Sequence, residues 1–303
     1  MAVSKTPRRK LLTRGKGDHP LTPLKFQVLK AVQVCYVSIP EQIADYCGIS
    51  VKAAGNHLFD LFHEPIAAVN RMAVDRSALA GIDVLGDPAL LGGRAPTIYS
   101  LNKKGAKILT ELGLMGKDEF KDPPEYGPGR DWGLAHELQV RDLLVWFKKL
   151  EREYPDHIGV SMWRHRGDAW IGPVKPDGII VYKLHHADKP KGVVCLVEAD
   201  RNTERTQERI IEKFYQYAYL FQTNLIEELT GYARARVIFT TPNAKRRDTI
   251  AGIIGALMKE NDIERDRFWC VQRNSLETVS LTEDIWRVPG REVLMPFMAQ
   301  NVV

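Results

Sequence analysis

The chain has 303 residues, which is enough for about two domains of ordinary size. Its hydrophobic fraction of 44% and charged fraction of 27% are those of a soluble globular protein and exclude wholesale disorder. No apolar run reaches the roughly 18–20 residues of a membrane-spanning helix, and the basic N-terminus lacks the apolar stretch of a secretory signal, so we expect a cytoplasmic protein without a membrane segment.

Positive charge is concentrated in the first third of the chain. Residues 1–116 hold 15 Lys and Arg against 9 Asp and Glu, a net charge of +6, whereas the whole chain has a net charge of +5. The remaining residues therefore carry a net charge of −1. This asymmetry predicts a polyanionic partner for the first third.

Residues 1–20 form a basic segment among small and polar residues, and it includes Arg8 and Arg9. Two interpretations remain open. The segment is either a flexible, solubilising arm, or an arm that folds onto phosphates or into a minor groove when DNA is present. In the second case Arg8 and Arg9 contact DNA.

Residues 22–64 have the pattern of three helices. The first begins at Thr22, the second ends before Gly48, and Ser50 caps the third. Gly48 is placed to end its helix in the left-handed conformation, so that a tight turn joins two short helices in a helix-turn-helix. On the exposed, N-terminal part of the third helix we expect four DNA-contacting residues: Ser50, Lys52, Asn56 and His57.

Residues 68–101 predict a β-hairpin, because two strand-like runs are separated by a long loop rich in Gly, Asp and Leu. The loop contains Arg76 and Arg94, which are further candidate DNA contacts. A helix capped by Asn102 follows. The order of three helices, hairpin and helix describes a winged helix-turn-helix domain over residues 21–115. It predicts double-stranded DNA as the partner, although such domains also mediate protein contacts.

The remainder of the chain predicts a second domain. Residues 116–132 are charged and rich in Pro and Gly, which is typical of a linker. Residues 133–285 have the order helix, three strands, helix, strand, helix, strand, which indicates a mixed-sheet α/β core with an antiparallel meander first and a crossover afterwards. Residues 286–303 are expected to be a C-terminal tail. The predicted fold class is therefore a two-domain α/β protein.

Three carboxylates are expected to meet at one edge of that sheet. The strands at 179–182 and 193–197 are joined by a turn-rich break and should pair antiparallel, which brings Asp177 close to Glu198. Because side chains alternate along a strand, Asp200 points to the same face as Glu198. Such a cluster indicates either a metal site or a corner of surface ion pairs.

The order of these elements resembles the PD-(D/E)xK nuclease-like superfamily, which has the restriction-endonuclease-like fold. The resemblance rests on two short motifs: Pro176-Asp177 opens the second strand of the domain, and Glu198-Ala199-Asp200 closes the third. The resemblance implies the superfamily fold, a DNA partner and the dependence of active members on Mg²⁺ or Mn²⁺.

A narrower resemblance covers about residues 22–240. A winged helix is followed by His136 on the first helix of the second domain, then by PDG, by VEADRNTE and by a helix that carries Lys213 and Tyr217. This order resembles the replication-relaxation family of plasmid and mobile-element proteins.

The resemblance also implies a set of site residues. Two carboxylates on adjacent strands can hold a hard cation, and the metal ligands implied are Asp177, Glu198 and Asp200. The superfamily places a lysine two residues after the glutamate, where it orients the attacking water, but this chain has Asp200 there. Lys213 or Lys175 would have to replace that lysine, and the implied catalytic set is Asp177, Glu198, Asp200 and Lys213.

Three functions fit these features. The first is a DNA-binding accessory protein of plasmid or mobile-element replication or mobilisation, whose nuclease-like domain binds DNA or dimerises without cleavage. The second is a metal-dependent endonuclease that nicks or cleaves DNA beside its bound site, and the third is a transcriptional repressor. We expect a homodimer, for which the aromatic series on the helix of Lys213 is a candidate seam unless it is core. Replication or mobilisation proteins are further candidate partners.

Overall fold

The computed structural model describes residues 21–63, 65–73, 97–117, 119–120, 132–185, 191–201 and 207–298. The chain divides into two compact units, with the main boundary between Leu138 and Gln139. The fold is of the α/β class, as the sequence predicts. Within the described residues, none of the helices combines the length and apolar character needed to cross a membrane.

The first unit contains helices and a small sheet. Its elements are α1 (Pro23–Cys35), β1 (Val37–Ser38), α2 (Pro40–Cys47), α3 (Val51–Phe62), β2 (Val69–Ala73), β3 (Thr97–Leu101) and α4 (Lys103–Glu111). The three strands form an antiparallel sheet in the order β1-β3-β2. The sequence pattern predicts that the second helix starts at about Ser38, but Ser38 lies in the short strand β1 and α2 begins at Pro40.

The predicted starts of α1 and α3 and the predicted end of α2 are confirmed by their capping geometry. The hydroxyls of Thr22 and Ser50 accept hydrogen bonds from the backbone amides of Lys25 and Ala53, both at 3.2 Å. Gly48 has φ 69° and ψ 40°, the left-handed conformation that lets the chain leave α2 and enter α3 within three residues. Caps of this kind fix where α3 begins, and so fix which of its side chains face outward.

The second unit is built on one large mixed sheet. Its elements are α5 (Trp132–Glu153), which belongs to this unit from Gln139 onward, β4 (Ile158–His165), β5 (Gly178–Leu184), β6 (Lys191–Ala199), α6 (Gln207–Phe221), α7 (Leu225–Thr230), β7 (Ala235–Thr241), α8 (Ala244–Asn261), β8 (Phe268–Gln272), β9 (Trp286–Arg287) and β10 (Leu294–Met295), with short 3-10 turns at Arg166–Ala169, Arg265–Arg267 and Arg273–Glu277. The sheet order is β10-β9-β8-β7-β6-β5-β4.

The direction of the strands confirms the predicted meander and crossover. β4, β5 and β6 pair antiparallel, whereas β6, β7 and β8 run parallel. Parallel neighbours need a crossing connection, and α6 and α8 supply it. Alternate residues of β6 enter two separate cores. Val193, Cys195 and Val197 join the core under α5, and Val194 and Leu196 join the core under α6 and α8.

The segment that was expected to be a tail is part of the second unit. β9 pairs with β8, and β10 pairs with β9, both antiparallel. Trp286 is fully buried and its ring centroid lies 5.2 Å from that of Trp146 on α5. The sequence pattern concealed this, because both strands are only two residues long.

Replacing Trp286 by alanine should therefore destabilise the protein strongly. Removal of a large buried aromatic side chain leaves a cavity and costs about 3–5 kcal/mol of unfolding free energy. Urea unfolding followed by circular dichroism measures the change. Trp170→Ala is the matched control, because that side chain is half exposed and its loss should change the stability little. A tail without structural role would make the two variants equally stable.

Candidate functional site

The pairing of β5 with β6 sets the geometry of the acidic site. Gly178 is the Cα partner of Val197, so the preceding residue, Asp177, comes opposite Glu198. The backbone amide of Asp177 donates to the carbonyl of Val197 at 2.9 Å. Its side chain then turns back across the strand pair, and its Oδ2 accepts a hydrogen bond from the amide of Ala199 at 2.8 Å.

Glu198 lies on the face of the sheet that α6 covers. Its neighbours Val197 and Ala199 point to the other face and enter the core under α5. Leu196, two residues earlier, points to the same face as Glu198 and joins the core under α6 and α8. Only 3% of Glu198 is exposed. A buried carboxylate needs compensation from its surroundings, since an unpaired buried charge is strongly destabilising.

That compensation comes from two residues one turn apart on α6. The Lys213 ammonium lies 2.7 Å from Oε2 of Glu198, and the Tyr217 hydroxyl donates a hydrogen bond to Oε1. Residues four apart on a helix share one face, so a single helix orientation delivers both groups. The predicted catalytic residues Asp177, Glu198 and Lys213 are therefore brought together.

Burial and charge shift the acidity of this site in identifiable ways. Burial raises the pKa of Glu198 to about 7; the ammonium of Lys213 opposes this, and the negative charge of Asp177 adds to it. The pKa of Tyr217 is raised well above its ordinary value, first by burial and then by the adjacent Glu198. The tyrosine therefore stays a hydrogen-bond donor, while the glutamate can exchange a proton near neutral pH.

Asp200 has a different partner. Its Oδ2 accepts from Nε and from a terminal nitrogen of Arg246, in the first turn of α8, at 3.0 and 2.6 Å. Its backbone is held as well: the amide donates to the carbonyl of Thr240 at 2.9 Å, and the carbonyl accepts from the side chain of Gln139 at 3.1 Å. Asp200 thus connects the end of β6 to β7, α5 and α8.

The three predicted metal ligands do not form one group. Within the described residues, no cluster of three or more His, Cys, Asp or Glu side chains is placed to hold a metal ion. Asp177 and Glu198 are neighbours, but both oxygens of Glu198 already accept hydrogen bonds from Lys213 and Tyr217. A cation shared by Asp177 and Glu198 would have to compete with these donors, and it remains a prediction.

The sequence did not reveal two of these contacts. Gln139 is a buried polar side chain on α5, and the residues around it in the sequence do not indicate its partners. Arg246 belongs to the basic run Lys245-Arg246-Arg247, whose sequence pattern predicts a solvated or phosphate-binding surface. Its partner Asp200 is 46 residues away in sequence, a separation that local patterns do not bridge.

The predicted DNA-contacting residues fall into two groups. Ser50, Lys52 and Asn56 are exposed at or near the start of α3, whereas His57 is half buried. The Nδ1 atom of His57 is itself buried and has no hydrogen-bond partner among the described residues. Four more lie outside the described residues: Arg8, Arg9, Arg76 and Arg94.

The raised pKa of Glu198 predicts how stability depends on pH. The folded carboxyl titrates at about 7 and an ordinary glutamate at about 4.5, so between these values the folded protein holds more protons than the unfolded chain. The free energy of unfolding should therefore fall as the pH rises through this window. The free energy of unfolding of Glu198→Gln, measured with urea, should depend less on pH than that of the wild type. Relative to the wild type, the variant should be more stable at pH 8 than at lower pH.

Glu212→Gln is the control for that experiment, because Glu212 is an exposed glutamate on the same helix. It should reproduce the wild-type dependence on pH. An identical slope in Glu198→Gln and the wild type would contradict the assigned acidity of Glu198.

The comparisons with known proteins give one family. The family model described as replication-relaxation matches residues 62–234, which is more than half of the chain. No curated protein and no solved structure gives a significant match. The matched region includes β2, the α5 helix and the entire acidic site of Asp177, Glu198 and Lys213. The chain belongs to the replication-relaxation family.

Proposed function

We propose that this protein binds double-stranded DNA through α3 and acts in the replication or mobilisation of a plasmid or another mobile element. Membership of the replication-relaxation family supports the biological setting. The observation that carries DNA binding is the exposed, capped N-terminus of α3. Lys52 and Asn56 stand there side by side with no ion pair or hydrogen bond to any other described residue.

The order of elements in the first unit supports this role. α2 and α3 are joined by the left-handed Gly48, and β2 and β3 form a hairpin with five residue pairs in register. This is the order of a winged helix-turn-helix, in which the second helix of the pair enters the major groove. The excess of basic residues in the first 116 adds attraction for phosphates.

The capped start of α3 suits an anionic partner. The first backbone amides of a helix point toward its N-terminus and give it a partial positive charge. The Ser50 Oγ accepts from one of these amides, and its O–H can still donate to a phosphate. Asp60 is the acidic residue of α3, and its carboxylate is paired with Lys25 of α1 at 2.7 Å. The negative charge that would oppose DNA is thus compensated.

We propose for the second unit a nuclease-like fold whose acidic site has been modified. Asp200 stands where the superfamily lysine is expected, and it is engaged with Arg246. The first role we assign to this unit is accessory: it contacts DNA or a second copy of the chain without cleavage. Two members of the aromatic series on α6, Tyr215 and Tyr219, are half exposed, and a homodimer that uses them remains a prediction.

The second candidate function is a metal-dependent endonuclease, and one contact favours it. Lys213 reaches Glu198 from α6, so a lysine stands at the acidic site although the strand lacks one. Asp177 and Glu198 would hold the Mg²⁺ or Mn²⁺ ion, which would supply charge neutralisation and a more acidic water. Lys213 would then be released from Glu198 and would be free to orient a phosphate oxygen.

Lys52→Ala and Asn56→Ala should each weaken binding to a duplex selected from a random pool by about tenfold, because each removes a base-edge or phosphate contact. Fluorescence anisotropy at fixed salt measures the affinity, and circular dichroism checks the fold. Lys259→Ala is the matched control, since it removes an exposed lysine from α8. Unchanged affinity in both α3 variants would exclude α3 as the reading helix.

Supercoiled plasmid incubated with Mg²⁺ or Mn²⁺ separates the two candidate functions. Conversion to nicked or linear DNA that disappears in Asp177→Ala, and persists in the exposed control Asp156→Ala, would establish the endonuclease. Retained DNA binding without conversion in either metal would establish the accessory role. If conversion occurs, Lys213→Met should abolish it without loss of DNA binding.

A further inference from the structure

Three residues along the outer face of α3 are unexpected on a solvent-facing helix surface: two are large and apolar, and one is a glycine. Val51, Gly55 and Phe59 are four residues apart, so they follow one another along one line of the helix. Val51 is 47% exposed and Phe59 is 51% exposed, and both are large apolar side chains. Gly55 lies between them and leaves a gap in that line.

Neither packing nor backbone conformation in the described residues explains the glycine at position 55. A Cβ atom added to Gly55 would have no heavy atom within 4 Å. Its backbone is also not among the positive-φ positions, so a left-handed conformation is not the reason. By contrast, a Cβ on Gly105 would lie 2.1 Å from the carbonyl oxygen of Ala68, which makes glycine necessary there.

A glycine inside a helix has a cost. It is less favourable than alanine by about 0.5–1 kcal/mol, because its backbone loses more freedom on folding. Open space alone does not identify a partner, since Gly252 in α8 is equally open; what distinguishes Gly55 is its place between two exposed large apolar side chains, which favours a contact made from outside the helix. Because Gly55 has no side chain, a partner could approach the helix backbone closely there. The two flanking apolar side chains would favour an apolar group on that partner.

We propose that Val51, Gly55 and Phe59 form an apolar saddle that receives the methyl group of a thymine in the major groove. This inference rests on the proposed DNA-binding function and adds a base preference to it. In the major groove the thymine methyl is the apolar feature of the base edges, and it is read by apolar contact. Gly55 is the point where α3 comes nearest to the groove floor.

The polar neighbours of the saddle favour DNA over a protein partner. Lys52 and Asn56 follow Val51 and Gly55 by one residue each, and both are exposed. Lysine pairs with guanine or phosphate, and asparagine pairs with adenine through two hydrogen bonds. A base pair read by Asn56 at its adenine presents the methyl group on its thymine. The saddle and Asn56 thus fit opposite sides of one A·T pair or of adjacent pairs.

Gly55→Ala tests the close approach. The variant should melt a few degrees higher than the wild type, because alanine favours the helix, yet it should bind the selected duplex about tenfold more weakly. Gly252→Ala is the matched control. Gly252 is exposed within α8, and its added Cβ would also meet nothing within 4 Å. It should raise the melting temperature and leave the affinity unchanged.

Replacement of single thymines by uracil in the selected duplex tests the methyl contact, because it removes that group alone. One position should lose about fourfold in affinity, the value of one buried methyl-sized group. The loss at that position should vanish in Phe59→Ala. A scan without any sensitive position would overturn the saddle assignment.

The outcomes separate this inference from the function on which it rests. If Lys52→Ala weakens binding while Gly55→Ala does not, the saddle is wrong and DNA binding by α3 stands. If the wild type binds no duplex, the proposed function fails first. If Gly55→Ala changes only the mass measured by sedimentation, the saddle is a contact between protein chains, and the thymine assignment is overturned.

Discussion

The antiparallel register of β5 and β6 is the constraint on which the acidic site depends. It places Asp177 opposite Glu198 and turns the Glu198 carboxylate toward Lys213 and Tyr217 of α6. A slip of one residue would send Glu198 into the core that contains Trp146 and Phe147, away from Lys213 and Tyr217. The hydrogen bond from the Ala199 amide to Asp177 adds a side-chain lock to the backbone pairing. Fold and site are therefore specified by the same strand pair.

Compensation for the carboxylates at the end of β6 comes from the helices. Lys213 on α6 pairs with Glu198, and Arg246 on α8 pairs with Asp200. Both helices belong to crossovers that the parallel strands require in any case. The positive charge that compensates Glu198 and Asp200 is thus supplied by elements that packing already fixes. A side chain on a helix can reach these carboxylate oxygens without a change in strand register.

The sequence predicted the parts of the fold that local patterns encode. Helix caps at Thr22, Ser50 and Asn102, and the pairing of β5 with β6, follow from residue types within a few positions of each other. It also placed Lys213 on the correct helix, but it could not show that Lys213 would choose Glu198. The burial of Trp286 was missed because its strand is too short for a periodic signal. Contacts between distant segments depend on packing, which one sequence does not display.

The charge balance of the acidic site bears on how it could meet DNA. Three carboxylates face two paired cations, and burial raises the pKa of Glu198 to about 7. The site is therefore nearer to neutrality than its acidic residues suggest, and a phosphate backbone would meet less repulsion there. A divalent cation would gain little from an already compensated Glu198 unless Lys213 moved to the phosphate at the same time. Metal binding and DNA binding at this site would then be coupled, because the same lysine limits one and serves the other.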